Sequence, residues 1–139
     1  MTIDKIAILI KKASLEFDKI SNKILASYQI SASQYKILKY LFSEDNHTAR
    51  VTDLEKSFSM THPTTIGHID VLITRGLVEK IPNLQDARGK LVRPTEKAFA
   101  LEDELNKVGN DIENELTKNL SNREKENLVI LLKKMLGVN

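Results

Sequence analysis

Ile3, Ile6, Ile10, Ala13, Phe17, Ile20 and Ile24 follow one another at steps of three, four, three, four, three and four. That alternation keeps every one of these side chains on a single stripe of an α-helix, as in a packed helix seam. Leu9 and Leu25 widen the stripe. A strand would need a period of two, so the segment predicts a long first helix with one strongly apolar side. Such a stripe can line an intramolecular core or meet another subunit. On an outlying helix of a small domain the second reading is favoured, so Ile3, Ile6, Ile10, Phe17 and Ile20 are expected at a dimer interface.

The rest of the composition suits a helical protein. Of the 139 residues, 41% are apolar but only 5% aromatic, with no Trp, so the core must be built from Leu, Ile and Val. One domain is expected at this length. Cysteine is absent, which removes disulfides, thiolate nucleophiles and Cys-based zinc sites. No apolar run approaches a membrane span and no signal peptide is evident, so the chain reads as cytoplasmic with no membrane partner.

Net charge is only +2, but the charge is unevenly placed. From Arg50 to Arg93 there are seven basic residues against five acidic ones; from Glu96 to Lys118 there are seven acids against three lysines. The middle of the chain tolerates a polyanion and the segment after it does not.

Helix boundaries can be read from caps. Ser31-Ala-Ser-Gln34 has the form of a capping box, followed by a stripe of Tyr35, Leu38, Leu41 and Phe42. Ser43–His47 reads as a loop. Thr52–Glu55 again has capping-box form and opens a short helix with Leu54 and Phe58 inward. After the turn Ser59-Met60-Thr61, Pro63 suits the first turn of a helix that runs to about Arg75 and stops at Gly76. Two short runs, Leu77–Ile81 and Lys90–Arg93, flank the polar tip Gln85-Asp86-Ala87-Arg88-Gly89 and predict a hairpin. Thr95 caps one long acidic helix with Phe99, Leu101, Leu105, Val108, Ile112, Leu116 and Leu120 on its apolar side. Ser121–Glu124 is a third box, opening a last helix that buries Leu128, Leu131, Leu132, Met135 and Leu136 and ends at Gly137.

The predicted fold is mostly α with a small β-hairpin: a winged helix-turn-helix core flanked by N- and C-terminal helices. In such a unit the second helix enters the DNA major groove and the hairpin lies along the backbone or minor groove. The motifs agree with this. Asp86-Ala-Arg88, Val92 and Pro94-Thr95-Glu-Lys-Ala98 track the wing pattern of the MarR family of bacterial transcriptional regulators, Gly76-Leu77-Val78 its helix-to-wing junction, Asp70-Val-Leu72 the end of its recognition helix, and Ser31-Ala-Ser-Gln34 the start of its second helix. The chain resembles that family over nearly its full length. It departs from the family pattern at Pro94 and Ala98, and at Gly67 and Val71, where arginine is common; the base-reading chemistry differs accordingly.

The resemblance implies a homodimer in which residues 1–28 and 96–139 form the dimerisation helices and residues 31–95 the DNA-binding region, with Leu128, Leu132 and Met135 joining the first helix at the interface. It implies a pseudo-palindromic double-stranded operator and a repressor released by a small-molecule effector, often a phenol or other small anion, held between the two regions. No cofactor is implied. On a helix from Pro63 to Arg75, stepping 100° per residue, Thr65, Ile66, Ile69, Leu72 and Ile73 fall on one side, expected inward. Pro63, Thr64, Gly67, Val71 and Thr74 fall opposite, with His68 at the edge. Thr61, His62, Thr64, Thr65, Gly67 and His68 are the candidate DNA contacts on this helix, against the plainer reading of an ordinary exposed face. Arg88 is the candidate minor-groove contact, Lys90 a phosphate contact, and Asp86 a residue that organises the wing; a soluble turn is the plainer reading there. His47, His62 and His68 do not have metal-ligand spacing. No nucleophile with a paired base and no Gly-rich phosphate loop is present, so an enzyme is not expected. The alternative from another class is a winged-helix protein-interaction module without specific DNA binding.

Arg88→Ala is expected to weaken duplex binding by roughly 1–3 kcal/mol with the dimer intact. The loss should be larger on A·T-rich flanks, whose narrow minor groove concentrates negative potential. A gel-shift titration in which the variant keeps both affinity and flank preference would show that the hairpin is not a DNA wing.

Overall fold

A computed structural model describes residues 5–85 and 89–139. Ile3, Asp86 and Arg88 lie outside the described residues. The first helix, α1, spans Ile6–Leu25 and runs on through a short 3₁₀ turn, Ala26–Tyr28. Next come α2 (Ala32–Ser43), a two-residue strand β1 (Ala49–Arg50), α3 (Val51–Phe58) and α4 (His62–Thr74). Strands β2 (Val78–Pro82) and β3 (Lys90–Pro94) form the hairpin. Three helices close the chain: α5 (Glu96–Ala100), α6 (Glu102–Leu116) and α7 (Asn122–Leu136).

Two of the three boxes form where the sequence places them. The Ser31 hydroxyl accepts from the Gln34 N–H at 3.3 Å, and Gln34 Oε1 accepts from the Ser31 N–H at 2.8 Å. Ser121 and Glu124 repeat the arrangement, and those hydrogen bonds hold the Glu124 carboxyl below the ordinary glutamate range. The third starts earlier than expected. Arg50, not Thr52, precedes α3, and the Asp53 carboxylate accepts from the Arg50 N–H at 3.0 Å. Pairing of β1 with β3 has already set Arg50 in extended backbone, so the helix opens directly after it.

The sheet has three strands in the order β1-β3-β2, all antiparallel. Val78 pairs with Pro94 and Glu79 with Arg93; across that last pair the Arg93 guanidinium donates to Glu79 Oε1 at 2.7 Å. The hairpin is held to the recognition unit at its base. Gly76 takes φ 73°, a left-handed conformation that favours glycine, and Leu77 N donates to Leu72 O as the chain leaves α4. The Thr95 hydroxyl donates to Gly76 O at 2.6 Å and accepts from Ala98 N, so one residue both caps α5 and closes the hairpin.

The core lies between α2, α4, the sheet and the end of α1. Leu25, Ile37, Leu38, Leu41, Leu54, Ile69, Leu72 and Val92 are fully buried there, and Leu105 joins them from α6. The single long helix expected after Thr95 is interrupted at Leu101, whose N–H closes onto Ala98 O three residues back rather than four. The interruption separates two packing duties. Phe99 sets its ring against Phe42 and His47, while Leu105, Val108 and Ile112 bury along α6.

One expected burial, that of α7, does not occur within one chain, and the α1 stripe expected to face a partner is partly used inside it. No residue of α7 is buried: Leu128, Leu131, Leu132, Met135 and Leu136 all stand exposed. On α1 the stripe divides. Ser21 and Leu25 are buried, Phe17, Ile20 and Ile24 pack against the chain's own core, and Ile6, Leu9 and Ile10 face outward. Outside the core, an open groove of about 750 Å³ runs between α1 and α6, lined by Ile20, Ile24, Lys19, Lys23, Asp111 and Glu115 among others.

The α2–α6 contact is close. Tyr35 donates its hydroxyl to Leu105 O at 2.9 Å, and a Cβ placed on Gly109 would stand 2.6 Å from that same hydroxyl oxygen. Gly109→Ala should therefore destabilise the chain by roughly 1–3 kcal/mol, although alanine is the better helix former. Tyr35→Phe removes the obstructing atom together with its hydrogen bond to Leu105 O, so Gly109→Ala should cost much less when combined with Tyr35→Phe than alone. Urea unfolding of all four proteins at one protein concentration measures the coupling; additive effects would contradict the close approach.

Candidate nucleic-acid interface

Helices α3 and α4 meet across a tight turn. Ser59 takes φ 51° and its N–H reaches back to Glu55 O and Lys56 O, while Met60 N donates to Glu55 O. The left-handed residue ends α3 and turns the chain at once into α4. Thr61 caps α4: its hydroxyl accepts from Thr64 N at 3.4 Å and donates to Thr64 Oγ1 at 2.9 Å. The Thr64 hydroxyl, already accepting from Thr61, keeps its own proton to donate outward. Thr61, His62 and Thr64 are exposed at the N-terminal end of α4, where the helix dipole favours an anion.

One side of α4 belongs to the core. Thr65, Ile69 and Leu72 are buried, and the Thr65 hydroxyl donates to Thr61 O at 2.8 Å. Thr65 is therefore removed from the candidate DNA contacts: its side chain is wholly inside and its hydrogen is committed. Two residues expected inward lie further out, Ile66 half-buried and Ile73 exposed. The outward face carries Thr64, Gly67, Asp70 and Thr74, with Val71 half-buried. A Cβ on Gly67 would meet nothing within 4 Å, so nothing in the chain itself requires glycine there.

The three histidines are separated by their partners. His62 Nδ1 lies 3.3 Å from Glu55 Oε2, tying the start of α4 to α3. His68 Nδ1 lies 3.1 Å from Gln34 Nε2, and His47 packs edge-on to Phe99. They share no site.

Beside α4, the hairpin presents Lys80 and Lys90, both exposed. With Arg50, Thr52, Asn83 and Gly89 they line an open cleft of about 410 Å³ between the hairpin and the start of α3. The Arg50 guanidinium donates to Asp53 at 3.0 and 3.3 Å and holds that carboxyl below the ordinary aspartate range. Arg93, engaged with Glu79, serves the register of the hairpin. Nothing local in the sequence marks Arg50 as part of this cleft. Its signal, a basic residue three before an aspartate in a β1 too short to show a period, becomes visible only when β1 pairs with β3.

Two helices joined by a tight turn, the second with one side free of the core, and a basic hairpin directly after it constitute a winged helix-turn-helix. The MarR family model matches residues 30–90. The multiple antibiotic resistance protein MarR of Escherichia coli K12 is 34% identical over 131 residues, covering 92% of this chain and 88% of that protein. The apo crystal structure of wild-type E. coli MarR superposes with a TM-score of 0.85 at 31% identity, covering 98% of this chain and 99% of that one. A cysteine-to-serine variant of E. coli MarR complexed with operator DNA gives a TM-score of 0.81 at 33% identity, covering 94% and 92%. The chain belongs to the MarR family.

Replacing Gly67 by alanine should stabilise the chain by up to about 1 kcal/mol, because an interior helical glycine costs about that much and the new methyl meets no neighbour. The same methyl projects toward whatever docks on α4, so duplex affinity should fall as the melting temperature rises. Thermal unfolding and a gel shift on the same preparation check both; unchanged affinity would place Gly67 outside the interface.

Proposed function

We propose that this protein is a dimeric, sequence-specific DNA-binding transcriptional regulator, a repressor released by a small-molecule ligand. The observation that carries the reading is α4: its inner side completes the core through Thr65, Ile69 and Leu72, while its outer side stands exposed beside a basic hairpin. That is the arrangement a helix needs to enter a major groove while a wing holds the backbone. The E. coli MarR variant solved with operator DNA supports it.

Thr61, His62, Thr64, Gly67 and His68 are the residues assigned to the groove and Lys90 to a phosphate. Arg88 and Asp86, outside the described residues, keep the minor-groove and wing-organising roles that the family resemblance implies. Residues 31–95 form the reading head, and residues 1–28 with 96–139 the dimerisation helices. The uncovered apolar residues of α1 and α7 support that division, since large apolar side chains grouped in the open mark a protein interface. An open cavity of about 230 Å³ lined by Tyr28, Arg75, Leu77, Lys97, Leu101 and Leu105 lies where the reading head joins the flanking helices. Its two cations suit a small anionic effector. E. coli MarR has been solved in reduced and oxidised forms; this chain has no cysteine, so thiol oxidation is not available to it as a release signal.

The protein should select a pseudo-palindromic duplex with half-sites about one helical turn apart. Its affinity should fall by more than about tenfold between 50 and 200 mM salt, as phosphate contacts give way to counterions. Fluorescence anisotropy on a labelled duplex measures this. Salt-independent binding, or no duplex selected from a randomised pool, would overturn the reading in favour of a protein-interaction module.

A further inference from the structure

Gln34 does two things at once. It is nearly buried, and both ends of its amide are engaged: Oε1 accepts from the Ser31 N–H at 2.8 Å in the cap of α2, and Nε2 lies 3.1 Å from His68 Nδ1 on α4. A flipped amide would set its NH₂ against the Ser31 N–H, donor against donor, so the cap determines which way the amide points. The NH₂ group therefore faces His68, and Nδ1 must offer a lone pair. The ring proton is then on Nε2. His68 is half-exposed at the edge of the outward face of α4, and among the described residues its Nε2 takes no hydrogen bond.

We infer that Gln34 is a positioning residue that sets the tautomer of His68, so that the imidazole presents an N–H donor to the major groove and reads a hydrogen-bond acceptor on a base edge. This rests on the DNA-binding reading above. The acceptors available are guanine N7 and O6, adenine N7 and thymine O4; the amino groups of cytosine and adenine are refused, because two donors would meet. Gln34 touches no DNA. It acts from the second helix by linking the first turn of α2 to the base-reading face of α4.

The chemistry provides a clean perturbation. Gln34→Glu retains the cap, since glutamate serves equally at the third position of a capping box. Its carboxylate can only accept, so Nδ1 must carry a proton to keep the contact. The ring then loses its fixed Nε2–H, Nδ1-unprotonated form. Long-range ¹H–¹⁵N correlation spectra of the full-length, DNA-free protein at mildly alkaline pH report which nitrogen is protonated, with His68→Ala used for assignment. The wild type should show Nε2–H with Nδ1 unprotonated, and Gln34→Glu a protonated Nδ1 at unchanged thermal stability. In parallel, duplexes selected by the wild type from a randomised pool are titrated together with their single base-pair substitutions. One position in each half-site should prefer an acceptor by roughly two- to tenfold. His68→Ala should lose that preference, and Gln34→Glu should alter it at the same position only.

A wild-type ring protonated on Nδ1, or one unchanged by Gln34→Glu, overturns the positioning role whatever the DNA results. The expected tautomers with an unaltered base preference in His68→Ala overturn the reading role. A wild type with the expected tautomer that selects no duplex overturns the DNA-binding reading and the base contact with it, while the link between Gln34 and His68 stands.

Discussion

The uncovered apolar faces of α1 and α7 are the constraint on which the rest of the structure depends. Ile6 is 69% exposed and Leu136 71%, and between them Leu9, Ile10, Leu128, Leu131, Leu132 and Met135 are also open to solvent. Burying a leucine or isoleucine completely is worth roughly 1.5–3 kcal/mol, and each of these forgoes a share of that in proportion to its exposure. Scattered singly, such residues would need no explanation; grouped on two helices, they call for a cover. A second copy of the chain would supply one by symmetry, because the same faces are present on both partners and an isologous contact closes on itself. The core of one chain and the exposure of α7 would then be parts of one arrangement, with further burial between copies.

The flanking helices also hold the reading head. Tyr35 on α2 donates to Leu105 O, Lys39 donates to Asn106 Oδ1, and the Tyr28 hydroxyl donates to Glu104; that last bond, more than burial, raises the Tyr28 pKa. All three bonds join the N-terminal third of the chain to α6. Gly109 lets Tyr35 approach α6 closely enough for the first of them. The position of α2, and of α4 packed upon it, is thus referred to α6, which packs in turn against α1. A change in how those helices sit would move α4 relative to its twin, which is the coupling a ligand-released repressor requires.

Much of this was legible in the sequence because it is local. Caps at Ser31 and Ser121, the stop at Gly76 and the stripe from Ile6 to Ile24 depend on residues within one or two turns of each other, and the structure realises each of them. What escaped is set by contacts between distant segments. Strand β1 has two residues and no period; only Val92 and Leu91 opposite make it a strand. The interruption at Leu101 follows from Phe99 turning toward Phe42 and His47, more than fifty residues earlier. Thr65 lies on the inner side of the wheel, yet a threonine near a recognition helix start suits a DNA contact equally well until its burial is known. The Gln34–His68 contact spans 34 positions, and no spacing rule would pair them. Gln34 was visible as a cap and His68 as an edge residue, but not as one unit.

The central claim, that a second copy covers α1 and α7, is tested most directly by the mass of the folded protein in solution. One chain is 15.8 kDa. Light scattering coupled to size exclusion at micromolar concentration should give about twice that, roughly 32 kDa, in a single symmetric peak, the expectation for a closed two-fold assembly. A folded, helical protein that elutes with the mass of one chain would contradict the account, because the apolar faces of α1 and α7 would then be stable in water with nothing covering them.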